Sequence, residues 1–278
     1  MADGTGLPPS VVLIGHGVAM TSFAERYGPW AVVTGAAAGV GLAFTEELID
    51  RGLSVVMVDV EAEVVDVAAG FDGSTRALVA DVGDPGWIDW LADTTAGLEI
   101  GLAVANAGAS YVGRYLEMDA ATRRRIIDVN CGATADLASW ALPAMVDRGR
   151  GGFVATSSGS ALAGTAGVAL YSATKAYSVN LVEALGWELR GTGVDALAIV
   201  APAMDTPAFR SWAVDPDDMM SRPVDPRVVV AGGLDALPAG GRWLADPGLE
   251  IAAGVERAAR VDLMSEATTG MYPDLFGP

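Results

Sequence analysis

Several residue types on which protein functions often depend are almost missing from this sequence. Its 278 residues include one cysteine, Cys131, and one histidine, His16. A single cysteine excludes a disulfide within the chain and a cysteine-rich metal site, and a single histidine excludes mechanisms that need two imidazoles. Cys131 is expected to be a small buried side chain, and its isolation fits a reducing, cytoplasmic compartment. We therefore expect no metal site.

Positive charge is scarce as well, with 17 Lys and Arg against 35 Asp and Glu and a formal net charge of −18. Binding to a phosphate backbone requires clustered cations, so a nucleic-acid partner is not expected. The run Arg123-Arg124-Arg125 is a local exception. Such a run within a helical pattern is usually a solvated face that pairs with nearby acids.

Sequence signals for export and for a membrane-spanning segment are weak too. Asp3 stands where a secretory signal needs positive charge, and no Lys or Arg precedes the apolar residues 11–14. The longest apolar run, residues 30–44, is interrupted by Thr34 and by glycines and is too short to span a bilayer comfortably. We expect neither export nor a membrane partner, and this run is better explained as a strand followed by a glycine turn.

From Trp30 onward, short apolar runs alternate with helical patterns. The alternation predicts strands at 30–34, 53–58, 76–80, 100–105, 152–157 and 194–200, and helices at 39–51, 61–69, 84–96, 119–148 and 168–190. Several of the strands are almost continuously apolar, as strands buried on both faces are. The pattern therefore predicts an α/β domain built from right-handed βαβ units, with a mostly parallel sheet and helices on both faces.

Two stretches lie outside this alternation. Residues 1–28, rich in Gly, Pro and Ser, are predicted to be an extension preceding a single domain, residues 29–278. After Pro202 the pattern loosens, which predicts a mobile lid at about 203–226 rather than a packed element. Its apolar side chains favour an apolar substrate, although such residues more often belong to a core. They are Met204, Phe209, Trp212, Met219 and Met220.

A glycine-rich turn, Thr34-Gly35-Ala36-Ala37-Ala38-Gly39-Val40-Gly41, follows the first predicted strand and opens the first predicted helix. In this context Gly35 permits a tight turn, Gly39 lets the backbone approach a pyrophosphate, and Gly41 lets the helix lie close to the sheet. The helix N-terminus favours the anion. The turn therefore predicts a dinucleotide site, and a small-residue turn that serves only packing is the alternative.

Carboxylates follow the next two strands. Asp59 stands 24 positions after Gly35, where an acid accepts hydrogen bonds from the adenosine ribose hydroxyls. A 2′-phosphate there would meet this carboxylate, and the neighbouring Val60 supplies no compensating cation, so NAD is favoured over NADP. The alternative is an aspartate that caps the next helix. Asp81 could hold the adenine amino group, with Val82 against the ring.

Small residues follow the fourth predicted strand, in the segment Asn106-Ala107-Gly108. They stand where a bound cofactor must pass close to the backbone. An ordinary turn is an equally good explanation of the segment taken alone. Its position at a strand end, shared with the two carboxylates, favours a role in the site.

Tyr171 and Lys175 are four residues apart in the predicted helix 168–190, so their side chains lie on one face. A tyrosine, with a pKa of about 10, is a poor base at neutral pH, and a neighbouring ammonium favours the phenolate. Lys175 is the only lysine in the chain, against sixteen arginines. A compact ammonium is thus retained where a guanidinium would not fill the same role. A half-buried tyrosine beside a snorkelling lysine is the alternative.

Two further polar residues complete the predicted catalytic group. Ser158 ends the fifth predicted strand, thirteen residues before Tyr171, and its hydroxyl can hydrogen-bond a substrate carbonyl or alcohol. Pattern alone does not dismiss its neighbours Ser157 and Ser160. Asn130 lies inside the predicted helix 119–148, where an asparagine is unfavourable unless its amide is used.

Together these elements resemble the short-chain dehydrogenase/reductase family over about residues 30–206. The resemblance rests on the TGxxxGxG turn at 34–41, Asp59, Asp81, the NAG at 106–108, Asn130, Ser158, Tyr171-xxx-Lys175 and the segment from Pro202 to Thr206. It implies a Rossmann-like, doubly wound fold, an NAD cofactor, a small-molecule alcohol or ketone as substrate, and a homo-oligomer, either a tetramer or a dimer.

The resemblance also implies a catalytic tetrad. In it Tyr171 exchanges the proton, Ser158 orients the substrate, Lys175 binds the nicotinamide ribose and Tyr171, and Asn130 holds a relay water. Thr206 would contact the carboxamide. Pro202 and Met204 would also bind the cofactor. The departures from the family pattern are Ala105 in place of the first Asn of NNAG and Ala203 in place of Gly in the PG turn.

The resulting hypothesis is an NAD-dependent oxidoreductase that moves a hydride between nicotinamide and a secondary alcohol or ketone, with a lipophilic substrate. One alternative is an NADP-linked carbonyl reductase. The other is a catalytically silent protein that binds dinucleotide to regulate a partner, and the intact Ser158, Tyr171 and Lys175 argue against it.

Overall fold

Parallel strands form the centre of the fold. The computed structural model describes residues 22–211 and 222–272. The strands within these ranges are β1 (Trp30–Thr34), β2 (Ser54–Asp59), β3 (Thr75–Val79), β4 (Ile100–Ala105), β5 (Gly151–Ser158), β6 (Val194–Ala201) and β7 (Gly241–Leu244). They form one sheet in the order β3-β2-β1-β4-β5-β6-β7, and every neighbouring pair is parallel.

Helices cover both faces of this sheet. They are α1 (Phe23–Tyr27), α2 (Gly39–Asp50), α3 (Val64–Ala69), α4 (Trp87–Thr94), α5 (Ala120–Ile127), α6 (Ala133–Arg148), α7 (Ala169–Glu188), α8 (Pro207–Arg210), α9 (Pro226–Ala236), α10 (Pro247–Gly254) and α11 (Arg257–Gly270). Short 3₁₀ turns lie at Tyr115–Glu117, Gly159–Leu162 and Leu237–Ala239. The buried side chains of α4, α6 and α7 form one core, and those of α1, α2, α3 and α9 form the other.

The strands are apolar throughout because both of their faces are buried. In β1, Val32 belongs to one core, whereas Ala31 and Val33 belong to the other. This alternation is what the period of two along a strand requires when helices cover both faces of a sheet. The predicted doubly wound, parallel α/β sheet is confirmed, and the bounds of the predicted strands shift by no more than one residue.

The N-terminal boundary placed at residue 28 falls after a helix that packs on the domain. Tyr27 is 1% exposed, and its hydroxyl donates to Asp195 Oδ2 at 2.6 Å. Arg26 pairs with the same carboxylate at 2.6 Å. The helix α1 therefore belongs to the packed structure, whereas residues 1–21, with His16, lie outside the described residues. Cys131, expected to be buried, is half-buried.

The chain after residue 202 contains more regular structure than its sequence pattern indicated. Two backbone hydrogen bonds join the beginning of the predicted lid to its end. Val224 N donates to Ala203 O and Asp205 N donates to Val224 O, both at 2.9 Å. The helices α9, α10 and α11 and the edge strand β7 follow. Trp212, Met219 and Met220 of the predicted lid lie outside the described residues, so its mobility stays a prediction.

Candidate active site

A cleft of about 660 Å³ opens at the carboxyl ends of the strands. It is lined by the turn after β1, the ends of β2 to β6, and the end of α11. All but two of the predicted site residues line it: Gly35, Ala38, Gly39, Val40, Asp59, Val60, Asp81, Val82, Asn106, Ala107, Gly108, Ser158, Tyr171, Lys175, Pro202, Met204 and Thr206. The remaining two, Gly41 and Asn130, lie behind this surface.

The glycine turn has the shape of an anion cradle. Gly35 and Gly39 have φ angles of +67° and +55°, which glycine adopts without strain. A Cβ on Gly41 would lie 1.9 Å from the carbonyl oxygen of Gly35, so the first turn of α2 touches the backbone it follows. The first turn of α2 contains no acidic residue, and its N-cap, Ala38, makes no side-chain capping bond. The first N–H groups of α2 are therefore available to a phosphate.

Thr34 and Asn106 fasten the glycine turn to the loop after β4. The backbone N–H groups of Asn106 and Ala107 donate to Thr34 Oγ1 at 3.0 and 3.1 Å. Asn106 Nδ2 donates to the carbonyl oxygens of Thr34 at 3.0 Å and Gly35 at 3.3 Å. Asn106 thus joins the loop after β4 to the cradle, a role that the sequence pattern does not reveal. Ala105 is simply buried in β4.

Asp59 is held in place by two backbone amides. Its Oδ2 accepts from Ala37 N at 2.8 Å, and its Oδ1 accepts from Glu61 N at 3.1 Å. The N-cap of α3 is Glu63, which makes no side-chain capping bond, whereas the bond from Glu61 N to Asp59 lies in the turn that precedes α3. The carboxylate also lines the cleft beside Val60.

Asp81 forms an ion pair with Arg125, and both line the same end of the cleft. Burial acts to raise the pKa of Asp81, but the hydrogen bonds from Arg125 and from Gly83 N outweigh it and hold that pKa below its ordinary value. Arg124 pairs with Asp128, four residues further on, at 3.5 Å, as expected of a solvated basic run. The position of Arg125 in the cleft was missed, because its partner is 44 residues away in the sequence.

Tyr171 and Lys175 lie one turn apart on α7, beside Ser158 at the end of β5. Lys175 is 6% exposed, its Nζ donates to Thr156 O at 2.9 Å, and it lies 5.7 Å from the centre of the Tyr171 ring. Burial lowers the pKa of Lys175 to about 8. Burial raises the pKa of Tyr171, and the hydrogen bond with Ser158 opposes that rise in part.

This balance differs from the expected one. The sequence predicted that the lysine would lower the tyrosine pKa, whereas in the structure burial is the larger influence on Tyr171, and Ser158 supplies the opposing hydrogen bond. The ammonium of Lys175 donates to a carbonyl of β5 and lies 5.7 Å from the ring centre, and its influence on the Tyr171 pKa is smaller than that of burial. Tyr171 is therefore a neutral phenol at neutral pH in the absence of ligands.

The structure shows that Ser158 differs from its neighbours Ser157 and Ser160 in what its hydroxyl contacts. Ser157 is buried and its hydroxyl donates to the carbonyl oxygen of Lys175 at 2.8 Å, so it ties α7 to β5. The hydroxyl of Ser160 is enclosed by protein, and within the described ranges it has no hydrogen-bond partner. Ser158 is the serine whose hydroxyl meets Tyr171.

Asn130 lies in a π-helical turn, Asp128–Gly132, that interrupts the helix predicted at 119–148. Its Nδ2 donates to Ala109 O at 2.9 Å and to Thr174 Oγ1 at 2.8 Å, and its Oδ1 accepts from Ala109 N at 2.7 Å. The prediction of one continuous helix is wrong here, because these bonds to two other segments fix a wider turn. Such turns are frequent at functional sites. Asn130 thus joins the loop after β4 to α7, and its relay water stays a prediction.

The loop after β6 closes the other side of the cradle. Thr206 is buried, its Oγ1 accepts from Phe209 N at 3.1 Å, and a Cβ on Gly39 would lie 3.2 Å from Thr206 Cβ. Among the described residues Asp72 is the one non-glycine with a positive φ, so Ala203 has ordinary backbone geometry in place of the usual glycine. With Ala203 in place of glycine, the loop after β6 still lines the cleft.

Three residues at the end of α11 line the cleft and were missed altogether: Thr268, Met271 and Tyr272. A signal for the two preceding helices was present. Asp225-Pro226 and Asp246-Pro247 each place an N-cap aspartate before a proline, and both aspartates accept a backbone N–H in the structure. The sequence contains no comparable signal for where α11 docks.

The comparisons with known proteins agree with this site. The model of the short chain dehydrogenase family matches residues 29–217. The chain therefore belongs to the short-chain dehydrogenase/reductase family, whose members are oxidoreductases acting on CH–OH groups of small molecules with nicotinamide dinucleotides. Within residues 22–211 and 222–272, no helix has the length and apolar character needed to cross a membrane.

The similar proteins include one whose name calls it inactive and one whose name calls it a reductase. "Inactive hydroxysteroid dehydrogenase-like protein 1" of Pongo abelii is 32% identical over 196 residues, which cover 66% of this chain and 59% of that protein. "Very-long-chain 3-oxoacyl-CoA reductase" of Anas platyrhynchos is 31% identical over 199 residues, covering 68% of this chain and 64% of that protein. The chain thus spans less than two thirds of the length of these relatives.

A solved structure of 7beta-hydroxysteroid dehydrogenase, studied for its stereoselectivity, superposes with a TM-score of 0.81 and 23% identity. The match covers 87% of this chain and 99% of that chain. At this identity the likeness shows the fold alone.

Proposed function

We propose that the protein is an NAD-dependent oxidoreductase that transfers a hydride between nicotinamide and a secondary alcohol or its ketone. The observation that carries the proposal is one cleft in which Ser158, Tyr171 and Lys175 face a glycine turn built as an anion cradle. The described residues fit the cofactor, since Asp59 and the N-terminus of α2 stand where a ribose and a pyrophosphate need them. The proposal includes a cytoplasmic location, which the near absence of cysteine supports.

The bound nicotinamide would supply or accept the hydride. In ketone reduction, the Tyr171 phenol donates its proton to the substrate oxygen while the Ser158 hydroxyl hydrogen-bonds the same oxygen. In alcohol oxidation the phenolate of Tyr171 accepts the proton. Because burial raises the Tyr171 pKa, the phenol is the resting form and oxidation gains as pH rises.

Lys175 acts beside this proton exchange. Its ammonium lies close enough to the Tyr171 ring to stabilise a phenolate as it forms. A Cβ on Gly108 would lie 3.5 Å from Lys175 Nζ, so the glycine there leaves the ammonium open towards the cleft. A ribose hydroxyl is the group we expect it to bind.

The preference for NAD rests on Asp59. Its carboxylate is fixed by Ala37 N and Glu61 N, and among the described residues beside it in the cleft, Val60 and Glu61 offer no cation to a 2′-phosphate. Arg125 is already paired with Asp81. A 2′-phosphate would therefore meet uncompensated negative charge.

A screen of secondary alcohols and ketones with both cofactors tests the function and the cofactor together. We expect turnover with NAD or NADH, and a kcat/KM at least about tenfold lower with NADP or NADPH, the equivalent of about 1.4 kcal/mol. Steroid, terpenoid, sugar and short-chain alcohols would be followed by absorbance of the reduced nicotinamide. Preference for NADPH would overturn the argument from Asp59 and favour an NADP-linked carbonyl reductase.

The second candidate function is a silent, dinucleotide-binding regulator. Similarity to a relative whose name calls it inactive favours it. The intact Ser158, Tyr171 and Lys175 and their meeting in one cleft argue against it. This candidate gains if the protein binds NADH but turns over no member of the screen.

A lipophilic substrate is part of the proposal. Beside Ser158 and Tyr171, the cleft is lined by apolar side chains from several segments. They include Val112, Val168, Met204 and Phe209. Burial of such surface is the main source of affinity for an apolar ligand.

We also propose that the chain forms a homo-oligomer, a dimer or a tetramer, through the outer face of α7. Apolar residues recur along that face at spacings of three to seven residues and are exposed: Ala173, Tyr177, Ala184 and Trp187. The side chain of Trp187 is 66% exposed, and the Arg190 guanidinium lies 3.7 Å from the centre of its ring. Exposed apolar faces of this kind are common where another subunit packs.

The variant Ala184→Glu places a charge in the middle of this face. We expect it to shift the mass measured by light scattering from an oligomer to a monomer, because burying an unpaired carboxylate is unfavourable. Val228→Glu, an equally drastic change at an exposed position of α9, serves as the control and is expected to leave the mass unchanged. A monomeric wild-type protein, or an oligomer unaffected by Ala184→Glu, would contradict the proposal.

A further inference from the structure

Ser158 caps a turn of helix in addition to facing Tyr171. It is the N-cap of the 3₁₀ turn Gly159–Leu162, and its backbone is extended, with φ −143° and ψ 154°. Its Oγ accepts a hydrogen bond from Ser160 N at 3.3 Å. A serine at an N-cap commonly accepts such a bond, because the first N–H groups of a helical turn have no partner within the turn. The oxygen that meets Tyr171 is therefore also held by the peptide backbone.

The side chain of Ser160 takes no part in this bond. Its hydroxyl is enclosed by protein, and no described residue is its hydrogen-bond partner. Ser160 nevertheless lines the cleft, two residues from Ser158. The contact by which Ser160 reaches the reacting groups is thus its backbone N–H.

The turn that contains this N–H is fixed by its neighbours. Leu162 is 6% exposed, and its carbonyl oxygen accepts from the Arg260 guanidinium at 2.9 Å. A Cβ on Gly159 would come within 2.6 Å of Leu249, so the turn lies directly against α10. The N–H of Ser160 is therefore in place before any ligand binds, as a group that supports catalysis needs to be.

A hydrogen bond accepted by Ser158 strengthens the bond that Ser158 donates, because hydrogen bonds in a chain polarise one another. The bond between Ser158 and Tyr171 acts to lower the Tyr171 pKa, so Ser158 is the donor to the phenolic oxygen. The chain runs from Ser160 N–H through the Ser158 hydroxyl to Tyr171 Oη. A substrate oxygen bound beside Tyr171 would receive the same proton of Ser158.

Resting on the proposed function, we propose that Ser160 is a positioning residue, whose backbone N–H holds Ser158 Oγ and directs the Ser158 hydroxyl proton to the substrate oxygen. The N–H occupies one acceptor site of Ser158 Oγ, which favours the hydroxyl as a donor towards the reacting groups. In ketone reduction this donor stabilises the charge that develops on the substrate oxygen. In alcohol oxidation it favours the phenolate of Tyr171.

Other titratable groups near Tyr171 also enter its pH dependence. Lys175, on the same helix, lies 5.7 Å from the ring centre, and Tyr272, at the end of α11, lines the same cleft. A substitution at Ser160 changes none of these groups, so a change in the pH profile can be assigned to the bond with Ser158. The remaining charged residues that line the cleft in the described ranges are Asp59, Glu61, Asp81 and Arg125.

The variant Ser160→Pro removes this N–H. Proline is tolerated in the first turn of a helix, and the preceding Gly159 adapts to it readily. We expect kcat for ketone reduction to fall about tenfold or more, with KM changed less than about threefold, because the lost bond acts on the reacting oxygen. The pH midpoint of alcohol oxidation should rise by about half a unit, since a weaker bond from Ser158 lets burial raise the Tyr171 pKa further.

Two variants test whether the N–H itself is responsible. Ser160→Ala keeps the N–H and should keep the wild-type pH midpoint. Gly164→Pro places a proline in the same loop, after Ala163, whose extended backbone suits a residue before proline, and should leave kcat and the midpoint unchanged. A merely structural bond would change stability in urea without moving the pH midpoint. Wild-type kcat and pH midpoint in a folded Ser160→Pro protein overturn the inference.

The bond can also be measured without turnover, by NMR of the labelled protein. Ser158→Ala removes the acceptor, so the Ser160 amide proton should exchange with solvent about tenfold faster or more than in the wild type. Ser265→Ala is the matched control, because it removes the acceptor of Ala166 N and should affect that amide instead. A Ser160 amide that is unaffected by Ser158→Ala overturns the inference, including when Ser160→Pro does not fold.

These outcomes are distinguishable from failure of the proposed function. A protein that transfers no hydride in the screen refutes that function, and the amide exchange of Ser160 is still measured. An active enzyme in which Ser160→Pro keeps wild-type kinetics refutes the inference alone.

Discussion

Replacing Tyr171 with phenylalanine is expected to lower kcat about a thousandfold while leaving the Kd for NADH within about twofold. The change removes the hydroxyl oxygen that is proposed to exchange the proton and keeps the ring, which is buried beside Lys175 and Ser158. The glycine cradle and Asp59, which are proposed to bind the dinucleotide, are untouched. Steady-state kinetics and a fluorescence titration with NADH measure the two quantities separately.

The pH dependence provides a second readout for the same variant. In the wild type, alcohol oxidation should rise with pH because burial raises the Tyr171 pKa and oxidation needs the phenolate, whereas ketone reduction uses the phenol and should fall at high pH. Tyr171→Phe should abolish this dependence in the residual activity. Tyr115→Phe, at an exposed position outside the cleft, is the matched control and should keep wild-type kinetics. Turnover retained by Tyr171→Phe would remove this residue from the mechanism.

Replacing Gly41 with alanine is expected to damage both the fold and the cofactor site. The new Cβ would lie 1.9 Å from Gly35 O and 2.9 Å from Ala36 Cα, and both contacts are with backbone that cannot rotate away. The helix α2 must then move off the cradle, which we expect to lower the free energy of unfolding by about 3 kcal/mol or more. Any folded fraction should bind NADH at least about a hundredfold more weakly, since the N-terminus of α2 no longer meets the pyrophosphate.

Urea unfolding and an NADH titration measure these two losses. Gly254→Ala is the control, because a Cβ at this helical position of α10 meets no atom within 4 Å. It should leave unfolding and NADH affinity near their wild-type values. A Gly41→Ala protein with wild-type stability and affinity would show that the close approach of α2 to the turn is dispensable.

The sequence predicted those parts of the site that depend on local order along the chain. Asp59, Asp81, Asn106 and Ser158 each follow or end an apolar run, and parallel strands bring such positions to one edge of a sheet. Tyr171 and Lys175 needed only the helical repeat. No knowledge of distant contacts was required for any of these placements.

Features that depend on contacts between distant segments were not predictable in this way. The π-helical turn at Asp128–Gly132 is fixed by bonds from Asn130 to Ala109 and Thr174, which a helical pattern does not reveal. In the sequence, Arg125 is indistinguishable from a solvated arginine, because its partner Asp81 is 44 residues away. The raised pKa of Tyr171 depends on how completely α7 and β5 enclose the ring, which composition does not specify.

The C-terminal part of the site was missed for another reason. The helices α9 and α10 begin with readable Asp-Pro caps, but α11 begins at Glu256, whose carboxylate accepts from Ala258 N and Ala259 N. Glutamate is an uncommon N-cap, so this start has a weak signature. The docking of α11 depends on Arg260 and Ser265 finding backbone partners about a hundred residues earlier.

The two bonds that join α7 to β5 have a consequence for how this enzyme can change. Ser157 Oγ donates to Lys175 O, and Lys175 Nζ donates to Thr156 O, so strand and helix hold the reacting groups as one rigid frame. The end of α11, with Met271 and Tyr272, lines the same cleft but belongs to a separate segment that bonds to the loop between β5 and α7. We therefore expect substitutions near the end of α11 to leave the positions of Ser158, Tyr171 and Lys175 unchanged.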